Sequence, residues 1–311
     1  MTARAGSLTT SEVLRAFWEL GKPRLSALAV FAVVAGAYMG WPSRTSHPPT
    51  DLLLATTLGT FLAAVGAAAL NMYSERHLDP LMQRTQRRPL PSGRLSPRSV
   101  LVFGAVTSIA GVALVLVGAA PLAPDGSRPL GQWNWTAGGL CAAIVVSYVL
   151  VYTPMKTRTP LNTLVGAIPG ALPPVVGHAA VVGHLALPQL VLFAILFFWQ
   201  IPHFLSVAWR YREDYARAGM RMLPVLDPTG HRTGIAMLLY VCGLGIASLV
   251  PFVTGMTDDR YAVVAVLLDV VFFVPVLFAA LTRRDVAMRV TFVTSIVYLP
   301  LLLITMVLTR R

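Results

Sequence analysis

Residues 99–120 read SVLVFGAVTSIAGVALVLVGAA, a stretch without a single charged side chain. An α-helix needs about 20 consecutive apolar residues to cross the hydrocarbon core of a bilayer, because each residue adds about 1.5 Å along the axis. This stretch is long enough and apolar enough to do so. It is therefore predicted to be a membrane-spanning helix.

The rest of the chain repeats this pattern. Hydrophobic residues make up 56% of the 311 positions and charged residues only 12%, whereas a soluble domain usually has about 25% charged residues. The sequence therefore predicts an all-α integral membrane protein with nine transmembrane helices, organised as one polytopic domain over residues 1–311. The predicted spans are 24–41, 52–71, 99–120, 136–152, 162–182, 188–208, 233–254, 260–281 and 288–308.

The basic residues lie mainly on one side of the predicted spans. Twenty of the 25 lysines and arginines fall in the N-terminal segment or in loops on its side, and five fall on the other side. Short loops rich in lysine and arginine stay in the cytoplasm, so we expect a cytoplasmic N-terminus and, with nine spans, an external C-terminus. Arg310 and Arg311 argue against this placement. Topology explains the net charge of +12, and nucleic-acid binding is not predicted.

Two segments depart from a simple spanning helix. Thr9 and Glu12 have the spacing of a capping box ahead of an apolar run that Gly21 ends. This predicts a short helix in the cytoplasmic interface within residues 1–23. The fifth span must be kinked or broken, which is tolerated where a helix lines a cavity or packs on protein. Its glycines and prolines are Gly166, Pro169, Gly170, Pro173, Pro174 and Gly177.

Three oxygen-bearing side chains follow one another at intervals of four residues at the end of the second span. Asn71, Glu75 and Asp79 would lie on one face of a helix that Pro80 ends. Such ligands at a membrane surface suit Mg²⁺ together with substrate phosphates. The loop that follows, MQRTQRRPL at 82–90, is basic as a diphosphate site requires. The alternative is a solvated acidic helix end beside a positive-inside loop.

A second polar loop follows the sixth span. It contains WQIPHF at 199–204, REDY at 212–215 and MLP at 222–224. Asp214 precedes Pro224 by ten residues, as Asp79 precedes Pro89. The two motifs also lie four spans apart, which favours an internal repeat whose two loops meet over one cavity.

The two loops resemble the signatures of the protoheme IX farnesyltransferases, a branch of the UbiA-type prenyltransferase superfamily. The first signature is NMYSERHLDPLMQRTQRRPL at 71–90 and the second covers 199–224, while weaker matches lie at 22–24 and 152–177. The resemblance implies nine helices around a central cavity, the UbiA-type prenyltransferase fold. It also implies farnesyl diphosphate bound with Mg²⁺, heme B as acceptor, and heme O and diphosphate as products.

The resemblance implies roles for individual side chains as well. Asn71, Glu75 and Asp79 would hold one Mg²⁺, and Asp214 a second. The side chains expected to bind the diphosphate are Arg84, Arg88, Lys156 and Arg212. The expected catalytic residues are Asp79, Asp214 and Lys156. The farnesyl tail would lie in an apolar cavity between helices, open to lipid.

Three positions depart from the family pattern. Glu75 stands where many members have aspartate, a change that keeps the ligand. His77 replaces a common acidic residue, which removes one possible ligand. His178 stands where an aromatic side chain is frequent, and its role stays open.

Several side chains have two interpretations. His203 and Trp199 are candidates for contact with heme; a hydrogen-bonded structural histidine is the alternative for His203. The alternative for Trp199 is a position in the aromatic belt at the membrane interface. Trp209 is predicted to lie in that belt. Asp269 in the eighth span is a candidate site residue because an acid at that depth is costly, or else a neutral packing residue.

Two other functions remain open at this stage. An aromatic prenyltransferase of the quinone or chlorophyll type would share the donor chemistry, but the PHF and REDY pieces argue against it. A secondary transporter would explain the broken fifth span, but its site should lie near the midplane of the membrane. The expected location is the bacterial cytoplasmic membrane. The expected partners are farnesyl diphosphate, heme B, the lipid bilayer, and other proteins of the heme A pathway or of oxidase assembly.

Overall fold

A computed structural model describes residues 9–42, 46–120 and 132–311. Within these residues, eight helices are long and apolar enough to cross a membrane, and Ser26–Gly40 is a shorter apolar helix. A 3₁₀ turn, Asp79–Leu81, follows the third helix, and a π-helical segment, Ser147–Tyr152, follows the fifth. The α-helices in chain order are α1 (Thr10–Leu20), α2 (Pro23–Gly40), α3 (Thr50–Ser74), α4 (Pro97–Gly118), α5 (Trp135–Val146), α6 (Thr153–Met155), α7 (Asn162–Ala171), α8 (Pro173–Val182), α9 (Leu187–Arg210), α10 (Arg212–Arg217), α11 (Leu223–Leu226), α12 (His231–Val253), α13 (Asp259–Thr282) and α14 (Asp285–Leu308).

Each of the nine predicted spans coincides with an apolar helix whose ends lie within about three residues of the prediction. The fourth span is built from α5, the π-helical segment and α6; the fifth is built from α7 and α8. The all-α membrane fold is therefore confirmed. The C-terminal ends of α3, α6 and α9 meet at one end of the bundle, called here the loop end.

The fifth span is broken at Leu172, as its prolines predict. Helix α7 ends at Ala171, and Pro173 begins α8. Proline has no backbone N–H and clashes with the preceding turn, so the helix cannot continue unchanged through this point. The break lets α8 approach α2 closely: a side chain added at Gly177 would place its Cβ 1.9 Å from the Val33 carbonyl oxygen. Small residues at such crossings are typical of helices packed within a membrane.

Helix α1 has the capping box that the sequence predicts. The Thr9 backbone N–H donates to Glu12 Oε2 at 2.8 Å, and the Thr9 hydroxyl oxygen accepts from the Glu12 backbone N–H. Ala16 and Leu20 are buried in a cluster at the end of α3. The opposite face is apolar and open, with Trp18 63% exposed, as expected of a helix lying in a membrane interface.

The two polar loops contact each other, as the sequence predicts. Asp214 Oδ1 and Oδ2 accept hydrogen bonds from the backbone N–H groups of Gln83 and Arg84, at 3.2 and 3.1 Å. Beside these bonds, Met82 of the first loop packs in a buried cluster with Met220 and other residues of the second. The two loops thus form one cover over the loop end of the bundle.

Candidate functional site

A polar cavity of about 490 Å³ lies at the loop end, beneath the contact between the two loops. Five cationic side chains line it, against two acidic ones. Arg84 and Arg87 are exposed, so the cavity is open towards water. The charged lining residues are Glu19, Lys22, Glu75, Arg84, Arg87, Arg88 and Lys156. The excess of positive charge suits a polyanion such as diphosphate.

The three predicted Mg²⁺ ligands lie close to this cavity, but not along one continuous helix. Helix α3 ends at Ser74, so Glu75 caps it and Asp79 begins the 3₁₀ turn. The prediction that all three lie on one helix running to Pro80 is therefore wrong in this detail. The Asp79 backbone N–H still donates to the Glu75 carbonyl at 2.9 Å, which keeps Asp79 about one turn beyond Glu75.

Glu75 is paired with Lys156 across the cavity. The Lys156 Nζ lies 2.6 Å from Glu75 Oε1, and both side chains are almost fully buried. Burial alone would raise the pKa of Glu75, but the charge and hydrogen bond of Lys156 outweigh it and hold that pKa below its ordinary value. Burial opposes the charge on Lys156, yet Glu75 raises the lysine pKa. Both groups are therefore charged at neutral pH.

Asp79 is paired with Arg88. The Arg88 Nη1 donates to Asp79 Oδ1 at 2.8 Å and to Oδ2 at 3.1 Å. Burial raises the pKa of Asp79, Arg88 opposes the rise, and the charge of Glu75 adds to it. The charge of Glu75 therefore acts on Asp79 across the end of the cavity.

These residues fit a magnesium ion in their chemistry. Asn71, Glu75 and Asp79 offer the hard oxygen donors that Mg²⁺ takes. In the ranges 9–42, 46–120 and 132–311, no three His, Cys, Asp or Glu side chains are grouped as a ready metal site. Each carboxylate is instead held by a cation, Glu75 by Lys156 and Asp79 by Arg88. Binding of a metal would require the carboxylates to exchange those partners for the ion.

Lys22 is a cavity residue to which the sequence assigned no role. It has a left-handed backbone, with φ of 45°, just before α2 begins. Its Nζ lies 3.5 Å from Asn71 Oδ1. Burial lowers the pKa of Lys22 to about 7; Arg88 and Lys156 add to the fall, while Glu75 and Asp79 oppose it. The left-handed turn brings this ammonium group into the bundle, beside the predicted ligands.

An apolar cavity of about 300 Å³ extends from the polar cavity into the bundle. Lys22, Tyr148 and Tyr152 line both cavities. Tyr152 also faces Lys156, whose Nζ lies 4.7 Å from the ring centroid. An amphiphile with a charged head and an apolar tail would therefore lie across these three residues, head in the polar cavity and tail between the helices.

The two candidates for heme contact line the apolar cavity. His203 and Trp199 stack with their ring centroids 4.9 Å apart. His203 Nδ1 lies 2.7 Å from Ser295 Oγ, and Trp199 Nε1 donates to the Ser295 carbonyl at 2.9 Å. Both bonds hold α9 against α14. Trp199 and Trp209 are 5% and 7% exposed, so the interfacial-belt interpretation of these two tryptophans is wrong.

Asp214 lies beside the polar cavity rather than among its lining residues. Its carboxylate is engaged by the Gln83 and Arg84 backbone amides and by Arg217. Burial would raise the pKa of Asp214, but these amides and Arg217 hold it below its ordinary value. The structure thus shows Asp214 holding the first loop, and its assignment to a second Mg²⁺ stays a prediction.

Arg84 lies at the contact between the two loops, whereas Arg212 lies beside Asp285 at the start of α14. The Arg84 guanidinium lies 4.9 Å from the Tyr211 ring centroid and donates to the Tyr215 hydroxyl at 3.3 Å. Arg212 pairs with Asp285 at 3.2 Å and lies over the Trp209 ring. It is absent from the lining of the polar cavity. The structure therefore places Arg212 outside the polar cavity, paired with Asp285, and its role in binding the diphosphate stays a prediction.

Two polar side chains, the half-buried Asp269 and the buried His178, stand apart from both cavities. Asp269 accepts hydrogen bonds from the Ser248 hydroxyl at 2.7 Å and the Tyr298 hydroxyl at 2.6 Å. This closed network favours the packing interpretation of Asp269. His178 is buried in α8, and its Nδ1 finds no hydrogen-bond partner within the described part of the chain. Neither residue lines the polar or the apolar cavity.

Comparison with known proteins matches the sequence to one family. The model of the UbiA prenyltransferase family matches residues 28–304. A protein named protoheme IX farnesyltransferase from Solibacter usitatus (strain Ellin6076) is 44% identical over 96% of this chain and 99% of its own length. One of the same name from Aquifex aeolicus (strain VF5) is 35% identical over 95% of each chain.

Solved structures share the fold at much lower sequence identity. A digeranylgeranylglyceryl phosphate synthase superposes with a TM-score of 0.75 at 15% identity, over 96% of this chain and 98% of its own. A UbiA homologue from Archaeoglobus fulgidus, bound to GPP and Mg²⁺, superposes with a TM-score of 0.65 at 15% identity, over 94% and 99% of the two chains. The arrangement of helices described above is therefore that of the UbiA structures.

Proposed function

The chain belongs to the UbiA prenyltransferase family, and within it to the protoheme IX farnesyltransferases, and we propose that it transfers a farnesyl group from farnesyl diphosphate to a vinyl group of heme B. The products are heme O and diphosphate. The acceptor is inferred from the relatives that share this name. The prenyl-transfer chemistry is supported by the cavities.

One observation carries the proposal: a basic, carboxylate-bearing cavity is joined to an apolar one. Lys22, Tyr148 and Tyr152 line both. A prenyl diphosphate has a highly charged head and a long hydrocarbon tail, and the bond that breaks lies between them. That bond would lie beside these three residues, inside the bundle and away from bulk water.

Arg88 and Lys156 would hold the diphosphate with Lys22, and Arg84 would approach it from the loop. In the structure Arg88 and Lys156 are paired with Asp79 and Glu75. We infer that these pairs separate when substrate binds, so that the cations take the diphosphate oxygens and the carboxylates, with Asn71, take Mg²⁺. Bound there, Mg²⁺ supplies Lewis acidity that stabilises the negative charge on the leaving diphosphate. The two ion pairs keep the site charged and ordered before that exchange.

The transfer begins when the C–O bond to diphosphate breaks and leaves an allylic cation. The positively charged side chains that hold the diphosphate stabilise its growing negative charge, and they do so strongly because the site contains little water. The rings of Tyr148 and Tyr152 lie where the positive carbon would form, and aromatic faces attract cations. The terminal vinyl carbon of heme B then forms the new C–C bond. Water adds at the neighbouring carbon and loses a proton, which gives the hydroxyl of heme O.

His203 and Trp199 would contact the acceptor. Both line the apolar cavity on the α9 side. Ser295 fixes both rings through its hydroxyl and its carbonyl, so they present a rigid aromatic wall. A flat macrocycle packed on that wall would direct a vinyl group towards Tyr148 and Tyr152.

The chain is a multi-pass membrane protein, and we propose that it lies in the bacterial cytoplasmic membrane with the loop end in the cytoplasm. The excess of lysine and arginine at that end supports this orientation. The bilayer would supply the farnesyl chain to the apolar cavity. Other proteins of the heme A pathway or of oxidase assembly are proposed as partners that take up the product.

Two alternatives make different predictions. An aromatic prenyltransferase would use the same donor site with a small phenolic acceptor. A secondary transporter would need its charged ligands near the midplane, whereas Glu75, Asp79 and Lys156 lie at the loop end of their helices. The purified protein should be given labelled farnesyl diphosphate with heme B or with 4-hydroxybenzoate. Label is expected on heme alone; label on the phenol alone would refute the proposed acceptor.

A further inference from the structure

A second basic site lies outside both cavities. It is a groove of about 330 Å³ between the end of α9 and the start of α14. Arg210, Arg212 and Arg289 line it together with the rings of Trp209 and Phe292. Among the lining residues Asp285 is the one acid. The groove therefore combines aromatic surface with an excess of positive charge.

The charge of Asp285 is already satisfied. Its Oδ1 accepts from the Trp209 indole N–H at 2.7 Å and from Arg212 at 3.2 Å. Within the described ranges, neither Arg210 nor Arg289 has an ion pair; the recorded contact of Arg210 is with the Tyr211 ring at 5.6 Å. Two guanidinium groups are thus left facing the groove without a carboxylate.

The groove adjoins the apolar cavity through two aromatic rings. Phe292 lines the groove, and its ring centroid lies 5.2 Å from that of His203, which lines the cavity. Phe204 also lines the cavity and is 38% exposed, so the cavity reaches the outer surface of the bundle beside α9. A planar ligand could therefore extend from the cavity, past His203 and Phe292, to the groove.

The spacing along the helices places both free arginines on the same side of these rings. Arg210 lies seven residues after His203 in α9, which is about 10 Å along the axis. Arg289 lies three residues before Phe292 in α14, about 5 Å along its axis. Because α9 ends at the loop end and α14 begins there, both guanidinium groups lie towards the loop end.

We propose that this groove binds the two propionate carboxylates of the heme acceptor, with Arg210 and Arg289 as their partners. The inference rests on the proposed function. Heme B has both propionates on one edge and both vinyl groups on the opposite edge. Carboxylates held at the groove would leave the macrocycle against His203 and Phe292, with the vinyl edge directed into the apolar cavity. Arginine suits this task because its planar fork matches a carboxylate.

The headgroup of an anionic lipid is the competing ligand, since the groove lies beside side chains that face the bilayer. Val286 lines the groove and is 72% exposed, and Val293 on the same helix is 52% exposed. The contact between Phe292 and His203 favours the heme acceptor as the ligand. A lipid headgroup would bind in the groove alone and would not extend into the cavity. A test must separate these two sources of negative charge.

The test compares heme B with its dimethyl ester, in which both carboxylates are masked. Arg210→Gln, Arg289→Gln and the double variant are measured against Arg284→Gln, an exposed arginine of the same helix end that does not line the groove. Each groove variant should raise the KM for heme B by about tenfold, the size of one charge-assisted hydrogen bond. The KM for farnesyl diphosphate should not change. The unaltered protein should prefer heme B to the ester, and the double variant should lose that preference.

Two results would overturn the inference. One is an unchanged preference for heme B over the ester in the double variant. The other is an effect of the variants that appears only in vesicles containing phosphatidylglycerol and vanishes in pure phosphatidylcholine, which would assign the groove to lipid. A wrong proposed function would give a third result. The unaltered protein would then farnesylate neither heme B nor its dimethyl ester, and it would show no spectral change on titration with heme.

Discussion

The Lys156 ammonium group lies 2.6 Å from Glu75 Oε1 and joins the end of α3 to the end of α6 across the polar cavity. Breaking a buried pair by removing one partner is costly because the other charge is left uncompensated. Lys156→Ala should therefore lower the free energy of unfolding by about 3–5 kcal/mol. It should also reduce kcat/KM by about a hundredfold or more, through loss of a cation at the diphosphate.

The double variant Glu75→Gln/Lys156→Ala separates these two effects. It should recover most of the lost thermal stability, because no unpaired charge remains buried, and stay inactive. Thermal unfolding in detergent and steady-state turnover are the measurements. Equal stability of the single and double variants would show that the pair does not hold the two helix ends together.

Asp79→Ala should remove most activity, since the change deletes a proposed Mg²⁺ ligand and leaves Arg88 without its partner. Glu75→Asp is the matched control, because it keeps a carboxylate at the helix end, and it should retain much of the turnover. Activity is measured across a Mg²⁺ titration. Near-normal turnover of Asp79→Ala at low Mg²⁺ would exclude Asp79 from the metal site.

Asp214→Asn distinguishes a loop-holding residue from a second metal ligand. The carboxylate accepts from the backbone amides of Gln83 and Arg84, so its loss should loosen the loop that carries Arg84 and Arg88. We expect the KM for farnesyl diphosphate to rise by about tenfold, as for a lost charge-assisted hydrogen bond. The Mg²⁺ concentration for half-maximal rate should stay the same. A raised Mg²⁺ requirement would instead support the metal-ligand role predicted from the sequence.

Asp227 provides a prediction on stability and pH that is independent of the active site. Its carboxylate accepts from the Thr233 backbone N–H at 2.8 Å and from the Thr233 hydroxyl at 2.9 Å. Burial would raise the pKa of Asp227, but these bonds hold it below the ordinary value of 3.8. A lowered pKa stabilises the fold above pH 3.8, and this contribution is lost as the pH falls through the folded-state pKa. Asp227→Ala should cost about 1–2 kcal/mol at pH 7, as for a lost helix cap.

The pH dependence is checked by thermal unfolding of the unaltered protein and Asp227→Ala in parallel. The difference between their midpoints should be constant near neutral pH and shrink only below pH 3.8. A difference that disappears between pH 5 and 7 would contradict the assigned hydrogen bonds.

The positions of the helices could be predicted from the sequence because hydropathy and proline act locally. The spans, the break at Leu172 and the Thr9 capping box all follow from neighbouring residues. The equal spacing from Asp79 to Pro89 and from Asp214 to Pro224 also predicts the contact between the two loops, and the structure confirms that contact.

The directions of individual side chains could not be predicted in the same way. Arg212 pairs with Asp285 instead of lining the polar cavity, and Asp214 is held by amides of the first loop, about 130 residues earlier in the chain. Lys22 reaches Asn71 because of a left-handed turn before α2. Each of these depends on contacts between distant segments, which residue spacing within one segment does not encode.

The proposed orientation predicts the result of reporter fusions. A reporter fused after Arg94, in the first polar loop, should read cytoplasmic. One fused after Asp258, between α12 and α13, should read external, because that turn lies at the opposite end of the bundle. The reverse pattern would place the polar cavity outside the cytoplasm and refute the proposed access of the substrate.

The central claim is farnesyl transfer to a vinyl group of heme B, and mass analysis of the product tests it most directly. Purified protein is incubated with Mg²⁺, farnesyl diphosphate and heme B in ¹⁸O-labelled water, with Lys156→Ala as the inactive control. The account predicts heme enlarged by one farnesyl group and one ¹⁸O-hydroxyl, with one diphosphate released per product. Release of diphosphate with unmodified heme, or farnesyl attached without oxygen from water, would contradict it.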